Sequence, residues 1–145
     1  MAEAEELAAP CGLYCAACPL YKAQTDRALA EKLATRLGLP IEACVCSGCR
    51  GQKGRVSVMG ETICETYDCC LNEKRLDFCY QCPDFPCAKL APCADRATEI
   101  PHNTKIYNLL LIQKQGIKSL AGGADNLWHQ YFRGKKVRAG GELRL

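Results

Sequence analysis

Cysteine is the residue that most constrains what this chain can fold into, because 13 of its 145 residues are cysteine. The thiols fall into clusters, and several pairs have the spacing C-x2-C. A tight turn with that spacing can present two sulfur atoms to one metal ion. Clustered thiols in a reducing compartment bind metal more often than they form disulfides. The sequence therefore predicts a fold that depends on thiolate metal sites.

The rest of the composition predicts a cytoplasmic protein with reduced thiols. Residues 1–6 are acidic, whereas a signal peptide needs a basic start followed by an apolar run. No stretch approaches the roughly 18 to 20 consecutive apolar residues that a membrane helix needs. An odd number of cysteines also fits poorly with a closed disulfide framework. We therefore expect no membrane association.

Four short segments carry the candidate metal ligands. A glycine in or after such a turn permits a positive φ angle and lets backbone N–H groups point at sulfur. The adjacent residues Cys69 and Cys70 cannot easily direct both side chains to one site, so we expect one of them to bind metal. The candidate ligands are Cys11, Cys15, Cys18, Cys46, Cys49, Cys64, Cys69, Cys70, Cys79, Cys82 and Cys87.

The spacing of the cysteines leaves the identity of the metal open. Zinc fits because four thiolates around a tetrahedral ion form a closed structural site. Iron–sulfur clusters are the alternative, since a cysteine followed by proline is a feature of ferredoxin-type sites, and Cys18-Pro19 and Cys82-Pro83 both have it. We expect about two sites and favour structural zinc in a binding module. An iron–sulfur protein would instead transfer electrons or sense redox state.

Helices are predicted at both ends of the cysteine-rich region. Leucines at every fourth position, followed by Gly38, predict a helix over residues 25–37. A shorter helix is predicted over residues 65–76. The cysteine-free C-terminal part predicts a helix over residues 104–115 and another that begins near Asp125 and carries Trp128, Tyr131 and Phe132.

The expected fold is a small, irregular, metal-stabilised α+β domain. Val56 and Val58 alternate with polar neighbours and predict, at most, one small hairpin among the short helices. We expect a single domain over residues 1–145, with a metal lobe (10–93), a helical cap (103–133) and a basic tail (134–145). The metal lobe offers little apolar surface, so metal binding would supply the missing folding free energy.

The sequence gives little support for an enzyme or for a nucleic-acid binder. His102 and His129 are the two histidines, and no nucleophile–base constellation can be assembled around them. The basic residues near the C-terminus are weak support for nucleic-acid binding, because a net charge of +3 falls further once thiolates bind metal. We expect an unknown protein partner.

Three motifs in this order resemble the DUF3795 family of small, cysteine-rich prokaryotic proteins. They are CGLYCAACP (residues 11–19), CSGCRG (46–51) and FCYQCPDFPC (78–87). The resemblance covers roughly residues 10–132 and implies a presumed metal-binding domain, usually supposed to bind zinc, without an assigned reaction. The candidate ligands above match cysteines of the family's motifs, except that only one of Cys69 and Cys70 has a counterpart. Cys44 and Cys93 look like additions. Residues 135–141 stand where many relatives have a further cysteine pair.

Overall fold

Short helices and turns form the regular structure of the computed structural model, which describes residues 2–60, 62–90 and 104–127. Within these ranges no β-strand forms, and an isolated antiparallel bridge joins Ala8 and Tyr14. The expected α+β class is therefore wrong for the described part of the chain, which is helical. The α-helices are α1 (Ala2–Leu7), α2 (Pro19–Lys22), α3 (Arg27–Leu37), α4 (Glu65–Tyr67), α5 (Thr104–Gln115), α6 (Ile117–Gly122) and α7 (Ala124–Leu127).

Turns of three to six residues connect the helices and carry many of the cysteines. Helix α4 continues directly into a π-helical turn, so the helix predicted over residues 65–76 ends earlier, at Glu73. The other turns are 3-10 helices, at Cys15–Ala17, Ile41–Cys44, Ser57–Met59, Cys79–Gln81 and Ala88–Leu90.

Helix α3 has the start and stop signals that its sequence predicts. The Asp26 carboxylate accepts a hydrogen bond from the backbone N–H of Leu29 at 3.0 Å and so caps the first turn. Gly38 follows the last turn with a φ of 66°, a left-handed conformation that glycine adopts without steric cost. The prediction of a helix here is confirmed, with its first residue at Arg27.

The hairpin predicted around Val56 and Val58 is wrong. Residues Ser57–Met59 form a 3-10 turn instead. The Gln52 side chain donates a hydrogen bond to Ser57 Oγ at 3.1 Å, and the backbone N–H of Cys64 bonds to Gly54 O at 2.9 Å. These local contacts hold the segment in turns. Two alternating valines are too short a pattern to outweigh them.

Helix α5 packs directly on the N-terminal cysteine loop. A Cβ at Gly12 would lie only 2.5 Å from Lys105 O and 2.8 Å from Leu109 Cγ, so the close approach requires glycine. The buried Asn108 side chain donates through Nδ2 to Gly12 O at 2.8 Å. Leu109 is fully buried and belongs to the core, together with Phe78 from the distant part of the cysteine-rich region.

The predicted helix over residues 104–115 is confirmed with those bounds. In the described ranges no helix is long and apolar enough to cross a lipid bilayer. Other expectations fall outside the described residues, and these concern Cys93, His102, the side chains of Trp128, Tyr131 and Phe132, His129 and the basic tail over 134–145.

Candidate functional site

Two C-x2-C-Pro motifs fold into the same local structure. In each, the first cysteine opens a 3-10 turn, and the N–H of the second cysteine bonds to the C=O of the first, at 2.8 Å for Cys18 and 3.1 Å for Cys82. The second cysteine is extended in both, with φ and ψ of −87° and 132° at Cys18 and −77° and 135° at Cys82. Proline enforces this geometry, because it disfavours a helical conformation in the preceding residue.

The turn at residues 15–18 meets the turn at residues 46–49, and together they form what we call the first thiol group, Cys15, Cys18, Cys46 and Cys49. The thiols of Cys15 and Cys49 form a hydrogen bond across the junction. The backbone N–H of Cys46 donates to Leu20 O at 3.1 Å and fixes the second turn against helix α2. Chain segments more than 25 residues apart thus present their thiols to one another.

Glycine makes this junction tight. Gly48 has a φ of 97°, and a Cβ at this position would lie 3.6 Å from Cys15 Sγ. Its backbone N–H donates to Cys46 Sγ at 3.4 Å, while the Cys46 thiol donates to Gln52 Oε1 at 3.1 Å. The turn therefore supplies the N–H···S contact expected of a metal-binding cysteine turn.

The Cys15–Cys49 pair contains one acidic and one weakly acidic thiol. The hydrogen bond from Cys49, with a smaller contribution from the positive charge of Arg50, lowers the pKa of Cys15 to about 7 despite its burial. The same hydrogen bond, together with burial, raises the pKa of Cys49. Cys15 therefore ionises before Cys49 and is the more ready of the two to act as a thiolate ligand.

Five further thiols line a cavity of about 160 Å³, and we call them the second thiol group. A hydrogen bond between two of them lowers the pKa of Cys70, and the same bond raises the pKa of Cys79. The π-helical turn after α4 contributes two members, and the segment that follows Phe78 contributes three. The second thiol group consists of Cys69, Cys70, Cys79, Cys82 and Cys87.

Two lysines also line this cavity. Lys74 Nζ lies 3.1 Å from Cys82 Sγ and 2.7 Å from Asp84 Oδ2. These two contacts, Asp84 first, raise the pKa of Lys74 above its ordinary value, so it stays charged. Lys89 Nζ lies 3.6 Å from Glu65 Oε2. Sequence analysis missed Lys74 and Lys89, because neither lysine belongs to a motif.

Arg50 lies between the two thiol groups. Its Nε donates to Ala8 O at 2.8 Å, and its Nη2 donates to Asp77 O at 2.7 Å. The guanidinium carbon lies 5.1 Å from the centre of the Phe78 ring, a cation–π contact. After the larger effects of hydrogen bonding and burial, its charge also helps lower the pKa of Cys15 and of Cys70. One side chain thus joins three cysteine-bearing segments.

The remaining candidate ligands, Cys11 and Cys64, belong to neither group, and Cys64 is half-buried. Cys11 is buried, and burial raises the pKa of its thiol, with smaller electrostatic effects from Cys64 and Cys15. An ionised Cys11 would raise the pKa of Cys49 in the first group and of Cys79 in the second. Cys11 therefore lies between the two groups. Cys44 is completely buried and belongs to neither group. We interpret Cys44 as a small apolar side chain of the interior.

The donor set fits a thiophilic ion in its chemistry. In the parts of the chain that the structure describes, no three Cys, His, Asp or Glu side chains converge closely enough to hold one ion. The thiols stand instead as two hydrogen-bonded pairs with further thiols beside them. Rotation about χ1 moves a cysteine sulfur among three staggered positions, so the neighbouring thiols can turn toward each pair. Thiolates suit zinc or iron–sulfur clusters rather than magnesium or calcium.

Comparison with known proteins supports the resemblance seen in the sequence. A family model described as "Protein of unknown function (DUF3795)" matches residues 7–92, more than half of the chain. This range contains both thiol groups. No curated protein and no solved structure matches the chain.

Proposed function

This chain belongs to the DUF3795 family, and from that premise we propose that it binds metal through cysteine thiolates at about two sites. Zinc is the metal that we favour, in a structural role that supports a protein-interaction module. The observation that carries the proposal is the assembly of thiols from distant segments, since the turn at Gly48 lies against Cys15 and five cysteines line one cavity.

The structure of the cysteine-rich region supports a stabilising role for the metal. Residues 41–90 contain helices and turns of only three to six residues. A segment of this kind buries little continuous apolar surface, and its short elements have no independent stability. Thiolate–metal bonds cross-link such turns and contribute folding free energy directly, as in other small metal domains.

The number of thiols in the first thiol group supports a single ion there. Its four thiols match the four ligands of a tetrahedral zinc site. The turn at Gly48 lies against Cys15, since a Cβ there would be in ordinary van der Waals contact with the sulfur, at 3.6 Å. Backbone N–H groups and Arg50 would offset the negative charge of the thiolates.

The first experiment is metal analysis combined with a visible spectrum, on full-length protein purified without oxygen. We expect about two zinc ions per chain and no colour, as for closed thiolate sites. Detection of iron and sulfide, with a broad absorption band near ~400 nm, would show that the protein binds an iron–sulfur cluster instead of zinc. Protein that is folded and contains no stoichiometric metal would overturn the proposal.

A further inference from the structure

The two thiol groups differ in how they meet the solvent. In the first group Cys15 and Cys46 are each only 6% exposed, Cys18 and Cys49 are half-buried, and the turn at residues 46–49 bonds to helix α2. The second group lines a cavity of about 160 Å³. Cys87 at this cavity is exposed, and Cys82 is half-buried. An incoming molecule can therefore reach the second group without opening the fold.

The second group also contains more thiols than one tetrahedral ion uses. Four thiolates complete a zinc site, and five thiols line the cavity. One thiol thus remains as a neighbour that can take the place of a departing ligand. Cys69 and Cys87 are the members with fewest close partners, since Cys70 pairs with Cys79 and Cys82 contacts Lys74.

Two lysines at this cavity offer ammonium groups to an incoming ligand. A zinc ion with four thiolates carries a net charge of about −2. Lys74 and Lys89 both line the cavity, and each ammonium group is paired with a carboxylate, Lys74 Nζ with Asp84 at 2.7 Å and Lys89 Nζ with Glu65 at 3.6 Å. Lys74 is held in place by Asp84 and donates to Cys82 Sγ at 3.1 Å. Lys74 thus stabilises a thiolate at Cys82, and an incoming ligand with a thiolate or carboxylate group would compete with Asp84 and Glu65 for the two ammonium groups.

We propose that the second thiol group is an exchange site for a thiophilic metal ion, whereas the first group retains its ion as part of the fold. This inference rests on the proposed function and assigns different roles to its two sites. Exchange is ligand substitution: each protein thiolate that leaves the ion is replaced by a donor of the incoming anion and takes a proton from solvent. No electrons are transferred, and no oxidant is needed.

The test follows zinc release from full-length, zinc-loaded protein after addition of excess EDTA, with a zinc-sensitive dye as the readout. We expect about one equivalent to leave at least about tenfold faster than the other, because release from a buried site requires local opening. Cys87→Ser is expected to abolish binding of the rapidly released zinc ion or to accelerate its release further. The release rate of the slowly released zinc ion is expected to stay unchanged. Lys74→Met is expected to slow release to EDTA, and Lys74→Arg to preserve it.

A second measurement keeps the test decisive if Cys87→Ser does not fold. Alkylation of the wild-type protein during zinc release, mapped by mass spectrometry, is expected to label Cys69 and Cys87 with the fast phase, before Cys15 and Cys46. Release of both equivalents at one rate, or early labelling of Cys15, would overturn the exchange site and leave the proposed function intact. Folded protein without stoichiometric metal would overturn both the exchange site and the proposed function. Iron and sulfide found in the purified protein would overturn the exchange of zinc.

Discussion

Glycine at position 12 lets the C-terminal helices approach the cysteine loop. Its φ is 90°, and any Cβ would press on the backbone oxygen of Lys105, which cannot move without displacing helix α5. The carbonyl of the same residue accepts the hydrogen bond from buried Asn108. A side chain at this position would thus disturb both the packing and the polar contact of α5.

We therefore expect Gly12→Ala to lower the free energy of unfolding by about 2 to 4 kcal/mol, from strain and overpacking together. Urea denaturation of the metal-loaded protein measures this change. Gly38→Ala is the matched control, because Gly38 also has a positive φ but a Cβ there meets nothing within 4 Å. The control is expected to cost about 1 kcal/mol. Equal losses for both variants would show that α5 does not depend on Gly12.

Arg50 is a second residue whose effect reaches beyond its own turn. Arg50→Met removes two hydrogen bonds and the contact with Phe78, and we expect a loss of about 1 to 3 kcal/mol. Arg27→Met is the control, since Arg27 forms an exposed i,i+4 ion pair with Glu31 that contributes only about 0.5 kcal/mol. Thermal melts of both variants make the comparison. If Arg50→Met lost no more stability than Arg27→Met, Arg50 would not hold the three cysteine-bearing segments together.

At the scale of single elements, the C-x2-C-Pro turns are the repeated unit of the site. We expect Cys15→Ser to lose zinc from the first thiol group and to unfold much of residues 11–93, because that group fixes the turns. Zinc content and melting temperature measure the effect. Cys44→Ser is the control: Cys44 is equally buried but belongs to neither group, so this variant should lose stability and keep its zinc. We also expect Cys93→Ser to leave the zinc content and the melting temperature nearly unchanged.

Full metal content and an unchanged melting temperature in Cys15→Ser would contradict the assignment of the first thiol group. Zinc loss in Cys44→Ser equal to that in Cys15→Ser would contradict it as well, because general destabilisation would then explain both.

Sequence reasoning succeeded for elements whose signals are local. Helices α3 and α5 lie where periodicity and flanking glycines predict them, since Asp26, Gly38 and Gly116 act within one turn of the helix end. The spacing also indicated the cysteine turns. The predicted hairpin failed because two alternating valines say nothing about a strand partner, and the nearby glutamine and glycines supply turn contacts instead. The same limit applies to any pattern of two or three residues.

At the scale of the whole molecule, contacts between distant segments decide which thiols meet. Spacing cannot show that the turn at residues 46–49 lies against Cys15 or that residues 69–70 share a cavity with residues 79–87. It also gives no sign that Lys74 contacts Cys82, because Lys74 itself belongs to no motif. These arrangements depend on packing around the core that includes Phe78 and Leu109.

The described architecture predicts an uneven response to loss of metal. We expect a chelator under reducing conditions to abolish amide protection in residues 41–90, whose turns have three to six residues. Helix α3, with its own caps and intrahelical bonds, should lose less protection. Hydrogen exchange with mass spectrometry, before and after zinc removal, measures the difference. Unchanged protection over residues 41–90 would show that the metal does not stabilise this part of the fold.

Arg50 has one further consequence, which concerns cooperativity. Its two hydrogen bonds reach segments that adjoin both thiol groups, and its charge acts on Cys15 and on Cys70. Occupation of either group would immobilise this side chain in the position that the other group uses. By thermodynamic linkage, each occupied group then raises the affinity of its neighbour by the same factor. Loading of the first group should therefore raise the affinity of the second, exchangeable group, and chains loaded at the second group alone should be scarce.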